Sequence, residues 1–167
     1  MTAAGEDEDL TDVQFFEIPD IRLLSTEQNE GTTCVWCADP LAPGVGVDLC
    51  PGFRWAPRAC LSCYPIRAAV ASTYRDLYAH WTTCKQCETA ALLGERLCDE
   101  AMPGQAALLR ARTAADKSGP VCFSCHDPIT DQELTGGVFA PLEWTGPSAT
   151  HRGFIHTGAC MWRESAL

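Results

Sequence analysis

The chain has 167 residues, 46% of them hydrophobic, and a formal charge of −10. That composition excludes a wholly disordered polypeptide, and no apolar run reaches the ~18 residues that a membrane-spanning helix needs. The charge sets duplex nucleic acid aside as a favoured partner, because phosphate binding displaces counterions with a surplus of surface Lys and Arg.

The acidity is concentrated at the start. Residues 1–30 hold nine acids (Glu6, Asp7, Glu8, Asp9, Asp12, Glu17, Asp20, Glu27 and Glu30) against one base, Arg22. The remaining 13 acids and 11 bases leave residues 31–167 at a formal −2. We read residues 1–30 as an acidic flexible arm. Within it, Phe15, Phe16 and Ile18 stand among acids, and two readings stay open. They form a short docking peptide that orders on a partner, or they fold back to cover the body's own core. The opening MTAAGEDEDL lacks the basic-then-apolar order of a secretion signal. The expected location is cytoplasmic, in a reducing compartment.

Residues 31–81 form the first expected module. Cys34-Val-Trp-Cys37 opens it and Cys60-Leu-Ser-Cys63 follows, with a Gly/Pro/Val-rich stretch and Phe53-Arg54-Trp55 between. Val45, Val47 and Leu49 alternate like a strand, and Gly44 and Gly46 supply bends, so the stretch reads as a short hairpin. A helix is expected next, with Pro65 in its first turn, where a missing N–H is harmless. Ile66, Val70, Tyr74, Leu77 and Trp81 form one apolar stripe, and the helix is expected to end near His80.

Residues 82–118 read as a helical segment punctuated by Gly94, Pro103 and Gly104 and stopped by Lys117-Ser118-Gly119-Pro120. Residues 119–167 form the last expected module. It runs from Cys122-Phe-Ser-Cys125 through Gly136-Gly137 to two strands, Val138–Ala140 and Gly153–His156, then a short terminal helix over 159–167. The two ends of the body share an octet: Cys34-Val-Trp-Cys37-Ala-Asp-Pro-Leu41 matches Cys122-Phe-Ser-Cys125-His-Asp-Pro-Ile129. Asp-Pro after the second cysteine turns the chain out of a knuckle, and the repeat points to a duplicated module.

Eleven cysteines, eight of them paired as Cys-x-x-Cys, indicate metal ligation when no export signal is present. A tight Cys-x-x-Cys turn aims two sulfurs at one point, and zinc completes its tetrahedron with two more ligands. The spacing gives three sets. The first is Cys34, Cys37, Cys60 and Cys63. The second is His80, Cys84, Cys87 and Cys98, with His80 and Cys84 on one helix face, Cys87 a turn later and Cys98 returning from the next helix. The third is Cys122, Cys125, His156 and Cys160, with His151 as a rival to His156. About three zinc ions per chain are expected, with an iron–sulfur centre as the minor alternative at the central set. Cys50 is left over and reads as a small buried hydrophobe.

The order of knuckle, hairpin, ligand pair and helix resembles treble-clef zinc fingers, over residues 34–80 and 122–167. The His-x-x-x-Cys-x-x-Cys run with a further Cys resembles a helical motif of small zinc proteins from high-GC bacteria or their phages. The expected fold is therefore small, α+β and metal-stabilised, with two treble-clef-like modules joined by a helical segment. Treble clefs bind nucleic acids or proteins, or in some branches cut DNA, so fold alone does not decide function.

No catalytic pattern stands out. His-x-Glu with Pro-Cys-x-x-Cys and His-Glu-x-x-His are both absent, and sets that count to four leave no open metal position. Ser62 and Ser124 sit inside knuckles, where a hydroxyl usually hydrogen-bonds the cluster. The tryptophans read as fillers of small cores, with Trp36 and Trp55 alternatively an exposed hot spot. The expectation is a non-enzymatic adaptor that binds a protein through its rigid body and acidic arm. A nucleic-acid-binding regulator using Arg54, Arg58, Arg67 and Arg75 is the alternative, and a redox or metal sensor a further one.

Overall fold

The computed structural model describes residues 18, 19, 21–51, 56–115, 120–145 and 150–161; the side chains of Ile21, Trp144, Thr145, Thr150 and His151 fall outside the description. The described chain is α+β: helices plus two small antiparallel hairpins. It divides into two compact units, Met1–Ser72 and Thr73–Leu167.

In the first unit a 3₁₀ turn at Ile21–Leu23 leads into α1, Thr26–Asn29. So short a helix needs its end satisfied. Ser25 Oγ accepts from the Gln28 amide, and Gln28 Oε1 accepts from the Ser25 amide at 2.8 Å, a reciprocal capping box. Gln28 also donates to the Val35 carbonyl at 3.0 Å. Ile18 and Leu24 pack against the core cluster of Val35, Leu49, Ala59 and Ala71. The end of the acidic segment is thus attached to this unit, while Phe15 and Phe16 lie outside the described residues.

The first hairpin is shorter than the alternation suggests. β1 is Val47–Asp48 and β2 is Arg58–Ala59, with Val47 opposite Ala59. Leu49 is fully buried, but Val45 is 45% exposed, because Gly44 and Gly46 hold positive φ and turn the chain before it can pair. Phe53, Arg54 and Trp55 lie outside the described residues.

Helix α2, Cys63–Thr83, has Pro65 in its first turn. It runs past the expected end at His80. The Thr82 and Thr83 hydroxyls donate to the Tyr78 and Ala79 carbonyls, each at 3.0 Å, and so satisfy acceptors in the added turn. Along its stripe Val70, Tyr74 and Leu77 are buried, whereas Ile66 is exposed.

In the second unit, α3 is Lys85–Leu93 and stops at Gly94, which adopts the left-handed conformation at φ 75. α4 is Met102–Ala114. Pro103 and Gly104, expected as punctuation, instead lie inside its first turn, where proline's fixed φ suits a helix start. Gly104 faces Leu77; a Cβ there would lie 3.7 Å from Leu77 Cδ1. α5, Asp131–Gly136, was not anticipated; a Thr130–Glu133 capping box opens it and Gly137 closes it in the left-handed conformation. The second hairpin pairs β3, Phe139–Thr145, with β4, Thr150–His156. Residues 159–161 start a helical turn, and the rest of the expected terminal helix lies outside the described residues, as does Lys117-Ser118-Gly119.

This unit's core is Leu77, Leu97, Leu108, Phe139 and Ile155, each at most 1% exposed. Phe154 meets Phe139 and Tyr74 edge-on, at 5.6 and 5.4 Å between centroids. The Tyr74 hydroxyl lies 2.8 Å from the Leu142 carbonyl and 2.9 Å from that of Gly153, tying α2's second half to both strands. Among the described residues no helix is long and apolar enough to cross a membrane. Replacing Tyr74 by Phe leaves those two half-buried carbonyls without this donor, and should lower stability by about 1 kcal/mol. Urea midpoints of the two metal-loaded proteins measure the loss; coincident curves would refute it.

Candidate metal centres

Each knuckle is built by its own backbone. In the first, the Cys34 amide donates to the Asp39 carbonyl at 2.8 Å and the Ala38 amide to the Cys34 carbonyl at 2.9 Å. In the second, the Cys122 amide donates to Asp127 at 2.9 Å and the His126 amide to Cys122 at 3.0 Å. Ala38 and His126 hold the same left-handed φ, 60 and 63, although neither is glycine. Bridges pair Thr33 with Pro40 and Val121 with Pro128. Each knuckle also rests on a strand: the Val35 amide donates to Arg58, and the Phe123 amide to Phe154. Both strands then deliver a ligand whose amide reaches the buried first sulfur, Cys60 to Cys34 and His156 to Cys122, each at 3.4 Å. The octet repeat in the sequence therefore corresponds to a repeat of backbone hydrogen bonds.

Three groups of four Cys and His residues come together, and in each the ligand atoms all lie within 4.8 Å of one another: Cys34, Cys37, Cys60, Cys63; His80, Cys84, Cys87, Cys98; Cys122, Cys125, His156, Cys160. These are the three sets that the spacing expects, and each could hold a metal ion. All eleven cysteines are free thiols. Cys50 stands apart from the groups, buried, its amide bonded to Asp48 Oδ1 at 2.9 Å. His126 is exposed and outside the groups, and the side chain of His151 lies outside the description.

In the first group the Cys37 and Cys60 sulfurs are 3.9 Å apart. Two sulfurs on one tetrahedral zinc, each at about 2.3 Å, stand about 3.8 Å apart. Ser62 Oγ lies 3.1 Å from Cys60 Sγ, and the Cys63 amide donates to the same sulfur at 3.3 Å. Burial pushes the Cys60 thiol up, but the Ser62 hydroxyl and the Cys63 amide outweigh it and bring it down to about 6. Burial and the hydrogen bond with Cys60 push Cys63 the other way, to about 11. Ser124, the counterpart expectation in the other knuckle, has a buried hydroxyl with no hydrogen-bond partner.

In the second group His80 comes from the last turn of α2. The chain does not stay helical through Cys84, as the one-face expectation required. Cys84 is extended, at φ −94 and ψ 105, and serves as the N-cap of α3. This break lets Cys84 and Cys87 converge, since an unbroken helix would keep Cys87 on the face of His80 but carry it nearly two turns, about 10 Å, further along the axis. Cys98 comes from the segment between α3 and α4, not from a helix. His80 Nε2 lies 3.2 Å from Cys98 Sγ and 3.5 Å from Cys87 Sγ, and Cys84 lies 3.9 Å from Cys98. The Cys87 amide, at the open start of α3, holds the Cys84 thiol below its ordinary range.

In the third group His156 uses its other nitrogen: Nδ1 is 3.4 Å from Cys125 Sγ and 4.0 Å from Cys160 Sγ. Its Nε2 faces Glu133 Oε1 at 3.6 Å, while Glu133 Oε2 accepts from the Thr130 amide at 2.8 Å. Glu133 thus belongs to the capping box of α5 and to the surroundings of a candidate ligand histidine. Sequence reasoning missed it, although Thr130-Asp-Gln-Glu133 carries the capping-box signature.

The second and third groups share one unit and a close backbone seam. The Gly158 amide donates to the Ala91 carbonyl at 2.6 Å, and the Leu97 amide to Gly137 at 3.1 Å. A Cβ on Gly158 would stand 3.1 Å from Gly94 Cα, and both glycines hold positive φ.

Comparison with known proteins adds nothing to this geometry: no family model, curated protein or solved structure matches the chain.

Two substitutions probe the seam and the histidine. Gly158→Ala must place a side chain in the left-handed region against Gly94, which should cost about 1–2 kcal/mol or more, read as a lowered thermal midpoint. Glu133→Gln keeps an oxygen for Thr130 but removes the charge facing His156, and should weaken metal retention at that group by about tenfold or more. Competition with a chromophoric chelator measures it, and unchanged retention would count against the contact.

Proposed function

We propose that this chain is a non-enzymatic, zinc-stabilised binding protein, whose three clusters are closed structural zinc sites and whose partner is another protein. The observation that carries this reading is the use of ten of eleven cysteines and two histidines in three sets of four convergent ligand atoms. Four protein ligands close a zinc site; a catalytic zinc keeps one position for water. The short separations suit ligands that share a single ion. Terminal ligands of an iron–sulfur cluster bind different irons and stand further apart, so zinc is preferred over the cluster at the central site.

The two matching knuckles support treble-clef-like modules at 31–81 and 119–167, joined by a helical segment over 82–118. Metal there supplies what a core built on so few buried residues lacks. A protein partner is favoured over nucleic acid because the arginines of the first module are otherwise engaged. Arg58 donates to the Gly46 carbonyl at 3.1 Å, Arg67 sits 5.6 Å over the Trp36 ring, and Arg75 neighbours Asp76 at 3.9 Å. Arg54 lies outside the described residues. Trp36 packs partly against the core cluster, which favours its reading as a core filler.

The test is elemental analysis of protein purified without added metal, with an absorption spectrum. About three zinc ions per chain and no visible colour are expected. Cys98→Ser should remove about one of them, and a strong chelator should abolish the helical circular dichroism signal in large part. Iron with a brown colour would overturn the zinc assignment at the central site, and little metal of any kind would overturn the whole reading. Fluorescence anisotropy with a labelled DNA duplex should show no binding at physiological salt; salt-sensitive binding would move the regulator to the front.

A further inference from the structure

We propose that the first cluster is an oxidant-sensitive zinc site, in which Cys37 is the first thiolate oxidised by a hydroperoxide and Cys60 resolves it as a disulfide with loss of the ion. This rests on the reading of the cluster as a zinc site.

Three observations single it out. All of its ligands are sulfur, whereas each of the other clusters contains an imidazole. Zinc with four thiolates carries a formal −2 and with three thiolates and a neutral His −1, so electron density on sulfur is greatest in the first cluster. Second, Cys37 is exposed, while the other ten cysteines are half-buried or buried. An oxidant of small-molecule size reaches Cys37 without opening the fold. In the second cluster Cys84 is half-buried and Cys87 and Cys98 are buried; in the third, Cys125 and Cys160 are half-buried and Cys122 is buried. Third, a resolving sulfur is already at hand: Cys60 Sγ lies 3.9 Å from Cys37 Sγ. Disulfide formation then needs the two sulfurs to close by about 2 Å. Cys34, the remaining half of the knuckle, is fully buried and shielded.

The chemistry balances with the hydroperoxide as oxidant. The Cys37 thiolate attacks the near oxygen, the O–O bond breaks, and the far oxygen leaves as alkoxide or hydroxide and takes a proton from water. Sulfur is oxidised by two electrons to a sulfenic acid, and the peroxide is reduced by two. The Cys60 thiolate then attacks the Cys37 sulfur, the S–O bond breaks, hydroxide leaves and the S–S bond forms. Two of the four zinc ligands are consumed. The ion departs, and Cys34 and Cys63 take protons. A dithiol reductant then reduces the Cys37–Cys60 disulfide by exchange, is itself oxidised to a disulfide, and returns both cysteines as thiols that can bind zinc again.

The experiment uses the full zinc-loaded chain, with metal content measured first. Hydrogen peroxide is added at about one equivalent, released zinc is followed with a chromophoric chelator, and remaining thiols are alkylated and mapped by mass spectrometry. The expected result is loss of about one zinc and about two thiols per chain, mapped to a Cys37–Cys60 disulfide, reversed by a dithiol. Cys37→His keeps a fourth ligand and removes the exposed sulfur; it should retain zinc but lose the early release. A loaded chain whose first oxidised thiols map to either of the other clusters, or which releases all its zinc together, overturns this proposal and leaves the zinc reading standing. A chain that lacks zinc at the first cluster before peroxide is added sinks both.

Discussion

Thiolates repel one another, and everything else in this molecule is arranged around the places where three or four of them meet. Neutral thiols can share such a place, but ionised ones need a cation between them or strong hydrogen-bond donors around them. The first cluster shows how the backbone begins that work. The Cys63 amide and the Ser62 hydroxyl turn toward Cys60, and the Cys60 amide turns toward Cys34. The regular elements are disposed to serve this convergence. Helix α2 starts on a member of one cluster, Cys63, and carries a member of another, His80, in its last turn. Strand β4 ends on His156, and the break before α3 falls on Cys84.

The hydrophobic contribution is uneven. The first unit surrounds its cluster of Val35, Leu49, Ala59 and Ala71 with partly buried neighbours, and its paired strands are two residues long. Two-residue strands carry too few cross-strand contacts to stand alone, and metal cross-linking is the usual remedy at this scale. The second unit has more of a conventional interior, with three aromatic rings in edge contacts and a hairpin of two seven-residue strands. Helix ends at both places are closed by side chains, at Ser25–Gln28 and Thr130–Glu133. Loops that must hold ligands in register are thereby anchored at their flanks as well as at the metal.

The three Cys and His groups were legible because their convergence is written in local spacing: Cys-x-x-Cys and His-x-x-x-Cys each place two donors within about one turn. The octet repeat was legible for the same reason, and its hydrogen bonds match residue for residue. What escaped the sequence was decided by tertiary context. The His80–Cys84 interval fits a continuous helix as well as a broken one, and only convergence with Cys87 and Cys98 selects the break. Pro103 and Gly104 look like a stop until a helix is found to start there against Leu77. The short helix with Glu133 was hidden because its capping box sits inside a stretch that also reads as the approach to a hairpin.

The seam of glycines between the two clusters of the second unit limits which substitutions that unit accepts. Gly94, Gly137 and Gly158 all hold the left-handed conformation, and a Cβ on any of them meets a neighbour: Gly158 Cα at 3.4 Å, Gln105 Oε1 at 2.8 Å and Gly94 Cα at 3.1 Å respectively. The positive φ disfavours a side chain at all three, and Gly94 and Gly158 also press backbone against backbone, whereas the nearest atom to Gly137 is the movable end of Gln105. A pattern of cysteines alone therefore understates what this unit asks of its sequence, because the Cys and His spacing has to be met together with glycine on both sides of the Gly94–Gly158 contact.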